Sequence, residues 1–183
     1  MLQNTKQLET RINEMLDKIY DYDMNGIGSK KTINGYRRSV DLLENIQSAM
    51  KKKNIEYYAH DNDNLGVIVE AIVKSYLKGT PQNSSGVGQI DLVQGSRKFE
   101  IKLVTKGSSS YASTLRETDM DVLIISNLGA YILRKENLNK AINQGHFKKG
   151  ELKLKPTILS SDLIVETSFT KRLTEDLNLQ AWY

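Results

Sequence analysis

Val122, Leu123, Ile124 and Ile125 form an unbroken run of large apolar residues. Side chains on a strand alternate between faces, so such a run leaves neither face suited to water. Such a run is typical of a strand buried on both faces, and with helical segments before and after it the expected class is α/β. With 183 residues, the chain suffices for one domain with a hydrophobic core, or for a core domain with a small helical appendage. Two separate domains would each be cramped.

Around that strand the pattern alternates between helical and extended periods. Leu8, Ile12, Met15, Leu16, Ile19 and Tyr20 recur at helical spacing and predict an amphipathic helix over residues 5–22, broken by Gly26 and Gly28. Tyr36, Val40, Leu43, Ile46 and Met50 predict a second over 32–53, ending in Lys51-Lys52-Lys53, which suits the negative end of the helix dipole. These two read as a helical hairpin. Residues 54–63 read as a loop and mark the best boundary, dividing the chain into 1–60 and 61–183. Asn64 is the expected N-cap of a third helix over 65–77, so apolar (Val67, Ile68, Val69, Ala71, Ile72, Val73) that it should be largely buried. Residues 87–93 and 98–104 alternate as strands do, with a hairpin turn at Gln94-Gly95-Ser96. Downstream, the expected elements are a short helix over 111–118, strands over 121–126 and 130–133, and a helix over 135–143 stopped by Gly145. Short strands over 152–155 and 163–169 and a helical end over 170–177 complete the reading.

Composition narrows the chemistry. The chain contains no cysteine, which excludes disulfides, thiol nucleophiles, zinc fingers and cysteine-held iron–sulfur clusters. Any metal must then be held by oxygen, or at most by His60 and His146. No apolar run approaches the roughly 18 residues of a spanning helix, and the N-terminal residues lack a secretory pattern, so no membrane and a cytoplasmic location are expected. The formal charge is +4, and residues 28–60 alone hold seven basic residues against three acidic ones. Such a cluster suits phosphate, although a solvated helix face has the same composition.

The segment Phe99-Glu100-Ile101-Lys102-Leu103 carries the chemistry. On a strand, Phe99, Ile101 and Leu103 share one face, and Glu100 and Lys102 project together from the other. Asp91, between Ile90 and Leu92, lies on the preceding extended segment, and a tight hairpin brings it toward Glu100 and Lys102. Two carboxylates and a backbone carbonyl suffice as the protein half-shell of Mg²⁺, which polarises a phosphate and lowers the pKa of water; a lysine can orient that water and offset developing charge.

Ile90-Asp91, eight intervening residues and Glu100-Ile101-Lys102 together resemble the PD-(D/E)XK motif of the restriction-endonuclease-like superfamily. Glu70, within Val67-Ile68-Val69-Glu70-Ala71-Ile72-Val73, resembles the helical glutamate that precedes the sheet in that family. The resemblance implies a mixed central sheet flanked by helices, here with an N-terminal helical hairpin. It implies that Asp91, Glu100 and the Ile101 carbonyl hold Mg²⁺, with Mn²⁺ as a substitute, that Lys102 handles the water, and that Glu70 assists. Ile90 stands where the family has proline, and residues 81–88 make a poor strand, so one strand of the family's usual core is short or missing. The likeness covers residues 64–134, under half the chain.

The function expected on this basis is Mg²⁺-dependent internal cleavage of DNA by a homodimer, as a restriction-type or phage-encoded endonuclease, with a Holliday junction resolvase as the alternative. A DNA-binding or inhibitory module without turnover is the alternative of another class. Arg37, Arg38, Lys51, Lys52, Lys53, Lys106, Ser108 and Arg116 are the expected DNA contacts. Ser109, Ser110 and Ser113 are further candidates that read equally well as a mobile loop. His146 reads more readily as surface, His60 with Asp61 and Asp63 as a polar linker. Gly86-Val87-Gly88 lacks the strand and helix that frame a nucleotide-binding loop.

Overall fold

The fold is mixed α/β, as expected, and the apolar run is a strand buried on both faces. The computed structural model describes residues 2–57, 64–78, 92–94, 96–107, 111–115 and 119–180. Among them, one mixed sheet has the order β1-β2-β3-β4-β5, with β1 Leu92–Gln94, β2 Arg97–Leu103, β3 Asp121–Ser126, β4 Gly129–Leu133 and β5 Ile164–Val165. Only β2 and β3 run parallel; the other neighbours are antiparallel. Every residue of β3 is buried. Alternation splits its run between two cores: Leu123 and Ile125 join one, Val122 and Ile124 the other.

The first core is roofed by helices α1 Leu2–Asn25, α2 Lys30–Lys53, α3 Leu65–Lys78 and α5 Ser168–Asp176. Ser29 caps α2 by accepting from the Thr32 N–H at 3.2 Å, and Asn54 ends it in the left-handed region at φ 55°. Asn64 caps α3, accepting from the Val67 N–H at 3.1 Å. Residues 68–75 of α3 are buried in succession, more than two turns with no face to water. Asp176 of α5 ties three helices together, accepting from the Tyr76 hydroxyl of α3 and lying 3.4 Å from Lys53 Nζ of α2. Burial, with Asp176 beside it, raises the Tyr76 phenol to about 12. Leu8, Ile12, Val40, Leu43 and Ile46 of the helical hairpin share this core with Ile72, Ile101 and Leu123. The expected boundary at residue 60 falls outside the described residues.

The second core lies on the opposite face, beneath α4 Leu138–Asn143 and the C-terminal segments carrying Phe147, Leu154, Ile158 and Leu163. Three expectations need correction. Residues 111–115 are not helical; the Ala112 and Leu115 N–H groups donate to the Leu154 and Leu152 carbonyls at 2.9 and 2.8 Å, so the segment lies extended along residues 152–154. Ser168 and Phe169 open α5 rather than ending a strand, because Thr167 caps the helix with reciprocal bonds to Thr170. Leu16 and Tyr20, read as part of the buried stripe of α1, are 41% and 62% exposed.

A polar knot closes the N-terminal end of β3. Asp121, 1% exposed, accepts from Arg97 Nη2 at 2.9 Å and from Arg97 Nε, from the Lys135 N–H at 2.8 Å and from Arg134 Nη1 at 3.3 Å. Burial pushes its carboxyl up, but the Arg97 and Lys135 hydrogen bonds and the guanidinium charges outweigh that and hold it below its ordinary 3.8. A carboxyl lowered in the folded state stabilises above the unfolded value and loses that contribution as pH falls through the folded one. Asp121→Asn is therefore expected to cost about 1–3 kcal/mol at pH 7, with the gap to the parent narrowing below about pH 4. Urea denaturation across that range measures it; a gap independent of pH would contradict the assigned ion pairs.

Candidate active site

Strand β2 places its odd and even residues as alternation requires. Phe99 and Ile101 enter the first core, while Glu100 and Lys102 stand on the other face, paired in register with Val122 and Ile124 of β3. Neither reaches bulk water: Glu100 is 1% exposed and Lys102 5%. Their charged ends meet at 3.1 Å. Lys102 Nζ also donates to Ser113 Oγ at 2.8 Å and to the Thr114 carbonyl at 3.3 Å, so three acceptors surround its three protons. The extended segment 111–115, pinned by residues 152–154, thus supplies two of the three.

A second buried pair stands on α3. Glu70 and Lys74, one helical turn apart, are as deeply buried as Lys102, and their charged atoms lie 3.5 Å apart. A pocket of about 530 Å³ joins the two sites: Glu70, Asn64 and Gly66 line it from α3 and its cap, Ile101, Lys102 and Thr105 from β2 and the following turn, and Tyr111, Ser113 and Lys153 from the opposite side. Within the described residues β1 pairs only with residues 97–99 of β2. Along the remainder of β2, a helix residue on one face of the sheet and a lysine on the other reach the same pocket.

Two buried Glu–Lys pairs are a poor device for stability. Desolvating both partners costs as much as their attraction returns, and well-packed apolar side chains of similar volume usually do as well or better. Titratable groups buried at the wall of a cleft mark a candidate functional site.

No protein-family model, curated protein or solved structure matches this chain. Function must therefore be argued from the site itself.

Of the expected site residues, Glu70, Ile101 and Lys102 border one pocket, with Glu100 paired to Lys102. Asp91, Ser108 and Arg116 lie outside the described residues, as do His60, Asp61 and Asp63. Among the described residues no three histidine or carboxylate side chains cluster tightly enough to hold a metal. The available donors, Glu70, Glu100 and the Ile101 carbonyl, are hard oxygen ligands of the kind Mg²⁺ takes. The expected DNA contacts divide. The Arg38 side chain lies against Gly107 at the turn after β2, within 3 Å of where a Cβ would stand, and Lys106 is exposed in the same turn, whose backbone the Asn127 side chain holds at 2.8 and 3.2 Å. Arg37 is bound to Asp23 at 2.6 Å. Lys51, Lys52 and Lys53 sit at the far end of α2, some 20 Å from Arg38 at the helical rise of about 1.5 Å per residue.

Lys74, Tyr111 and Lys153 were missed as site residues. The Glu70–Lys74 spacing of four was a usable signal; Tyr111 and Lys153 gave none. Ser113, a candidate DNA-backbone donor that read equally well as part of a mobile loop, accepts from Lys102.

Lys102→Met alone leaves Glu100 buried beside an uncharged neighbour and is expected to cost about 3–5 kcal/mol, whereas Glu100→Leu combined with Lys102→Met should return to within about 1 kcal/mol of the parent or exceed it. Urea denaturation of the two single variants and the double supplies the cycle. Additive losses would show that the pair is not coupled.

Proposed function

We propose that this chain is a Mg²⁺-dependent nuclease that hydrolyses phosphodiester bonds within DNA, a cytoplasmic enzyme of the restriction-endonuclease-like type. The observation that carries the reading is the buried Glu100–Lys102 pair on one face of β2, whose lysine lines a pocket together with a helical glutamate, Glu70. Asp91 is proposed to complete the acidic set. Its chain neighbour Leu92 pairs with Phe99, the neighbour of Glu100.

Asp91, Glu100, Glu70 and the Ile101 carbonyl would hold the cation. When bound, Mg²⁺ supplies Lewis acidity, polarising the phosphate and easing deprotonation of water. The chain's own residues do the rest. Lys102, held by Glu100, Ser113 and the Thr114 carbonyl, presents an ammonium whose charge would offset that gathering on the phosphate, and turning one proton away from the Thr114 carbonyl, its longest contact at 3.3 Å, would let it orient the attacking water. Glu70 contributes carboxylate oxygens from the helix side, with Lys74 compensating its charge. Low exposure of Glu70, Lys74, Glu100 and Lys102 strengthens each of their interactions relative to water.

A plasmid incubated with the protein and Mg²⁺ should be nicked or linearised, and should remain supercoiled in EDTA. Lys102→Ala, once shown by circular dichroism to be folded, should lose at least about 100-fold in cutting rate while still binding DNA in Ca²⁺. Glu70→Gln serves as the second variant should Lys102→Ala fail to fold. Cutting by both at the parent rate would refute the site; supercoiled plasmid at high protein and low salt would favour a binding module without turnover. The product pattern on plasmid, linear and four-way-junction DNA separates a restriction-type or phage-encoded enzyme from a resolvase.

One such site cuts one strand, so a double-strand break calls for a homodimer. The exposed row Leu16, Tyr20, Met24 and Ile27 along α1 and its turn is the apolar surface proposed to be covered in pairing. Sedimentation velocity should show a dimer that Tyr20→Glu dissociates; a monomer at all concentrations would remove this part of the proposal.

A further inference from the structure

Residues 146–155 form a tight hairpin that the nuclease reading leaves without a role. The Lys155 N–H donates to the His146 carbonyl at 2.8 Å and the Lys148 N–H to the Lys153 carbonyl at 2.9 Å; the turn closes through the Glu151 N–H to the Lys148 carbonyl at 3.0 Å. Gly150 at φ 75° gives that turn a backbone conformation other residues resist. The hairpin carries Lys148, Lys149, Lys153 and Lys155 against one acid, Glu151.

Three observations tie this basic hairpin to the pocket. Lys153 is part of the pocket wall that also carries Glu70 and Lys102. Tyr111, on the same wall and 46% exposed, lies beneath Lys148, whose Nζ is 5.9 Å from the ring centroid, so the aromatic face steadies the lysine there. Glu151 spans the two lysines, with Oε1 3.5 Å from Lys148 Nζ and Oε2 3.3 Å from Lys153 Nζ. One carboxylate held between two ammonium groups marks a place where an anion is favoured. Exposed pairs of this kind are weakly held, so an incoming anion displaces the carboxylate cheaply.

We propose that this hairpin is the DNA-backbone clamp at the pocket mouth, with Lys148 and Lys153 contacting a phosphate that takes the place of the Glu151 carboxylate. The identity of the ligand as DNA rests on the nuclease reading; the anion seat does not. Placed there, a phosphate enters beside the wall that holds Lys102, which the triplet Lys51–Lys53 at the far end of α2 cannot arrange.

Fluorescence anisotropy with a short labelled duplex, in EDTA so that nothing is cut, tests this over a range of salt. Lys148→Gln combined with Lys153→Gln is expected to weaken low-salt binding by at least ~10-fold and to reduce the magnitude of the slope of log Kobs against log salt by roughly 2. Glu151→Gln is expected to tighten binding. Parent-like affinity and slope in the double variant, no tightening by Glu151→Gln, or absence of binding by the parent at low salt would each overturn the clamp. A parent that nicks plasmid while the double variant binds normally would sink the clamp and leave the nuclease standing. Binding that follows the expected pattern with plasmid left supercoiled in Mg²⁺ would do the reverse.

Discussion

The constraint on which this structure rests is that β3 has no face for water. Its side chains feed two cores, and β2, its parallel neighbour, passes between the same two layers. Any charged residue placed in the middle of β2 is thereby taken out of solvent. Glu100 and Lys102 stand there as a consequence of the layering, and their 3.1 Å contact offsets part of the cost of burying each. The acidic and basic groups of the site and the apolar packing around them are one arrangement, since the layers that stabilise the sheet also set the low dielectric in which those charges act.

Burial on this scale calls for local compensation, and the chain supplies it from segments distant in sequence. Lys102 draws on Glu100 two residues away, and on Ser113 and Thr114 beyond the turn after β2. That second group is itself held by residues 152–154 through backbone bonds from Ala112 and Leu115. Position at the lysine is thus relayed from the C-terminal half of the chain, through the same segment that carries Lys153 to the pocket. An amine fixed by three acceptors has lost rotamer freedom in advance, the preorganisation that the proposed hydrolysis would use.

What the sequence disclosed follows a physical line between local and distant contacts. The alternation of Phe99 to Leu103, the two-faced burial of β3 and the nearly solventless α3 are written in periodicity, because each depends on residues within a few positions of one another. Residues 111–115 defeated the same reading: their partners lie some forty positions away, and an extended segment with a single apolar residue on either side of polar neighbours has no period of its own. The exposure of Leu16 and Tyr20 has a similar origin, since helical spacing names a stripe without saying how much of it a neighbour covers. Within the site, Glu70, Glu100 and Lys102 were legible from their apolar flanks, whereas Lys153 and Tyr111 enter only through the pairing of segments far apart.

The charge balance of the pocket bears on what it can accept. Glu70 with Lys74, and Glu100 with Lys102, are close to neutral as pairs, so the wall offers a phosphodiester little net attraction. A single carboxylate about 6 Å from an incoming phosphate repels it by roughly 3 kcal/mol at an effective dielectric constant near 20, and the matched lysine at similar range only cancels that. A substrate anion therefore needs positive charge beyond the two pairs. Two sources fit: a divalent cation among the carboxylates, which turns their negative charge from an obstacle into a means of holding it, and the lysines of the 146–155 hairpin at the mouth. These act at different points, the first at the reacting phosphate and the second along the backbone beside it, so neither can substitute for the other. A pocket built only to bind an anion would have no use for buried glutamates, and a pocket built only for a cation would have no use for lysines beside each one; the proposed phosphodiester hydrolysis would use both.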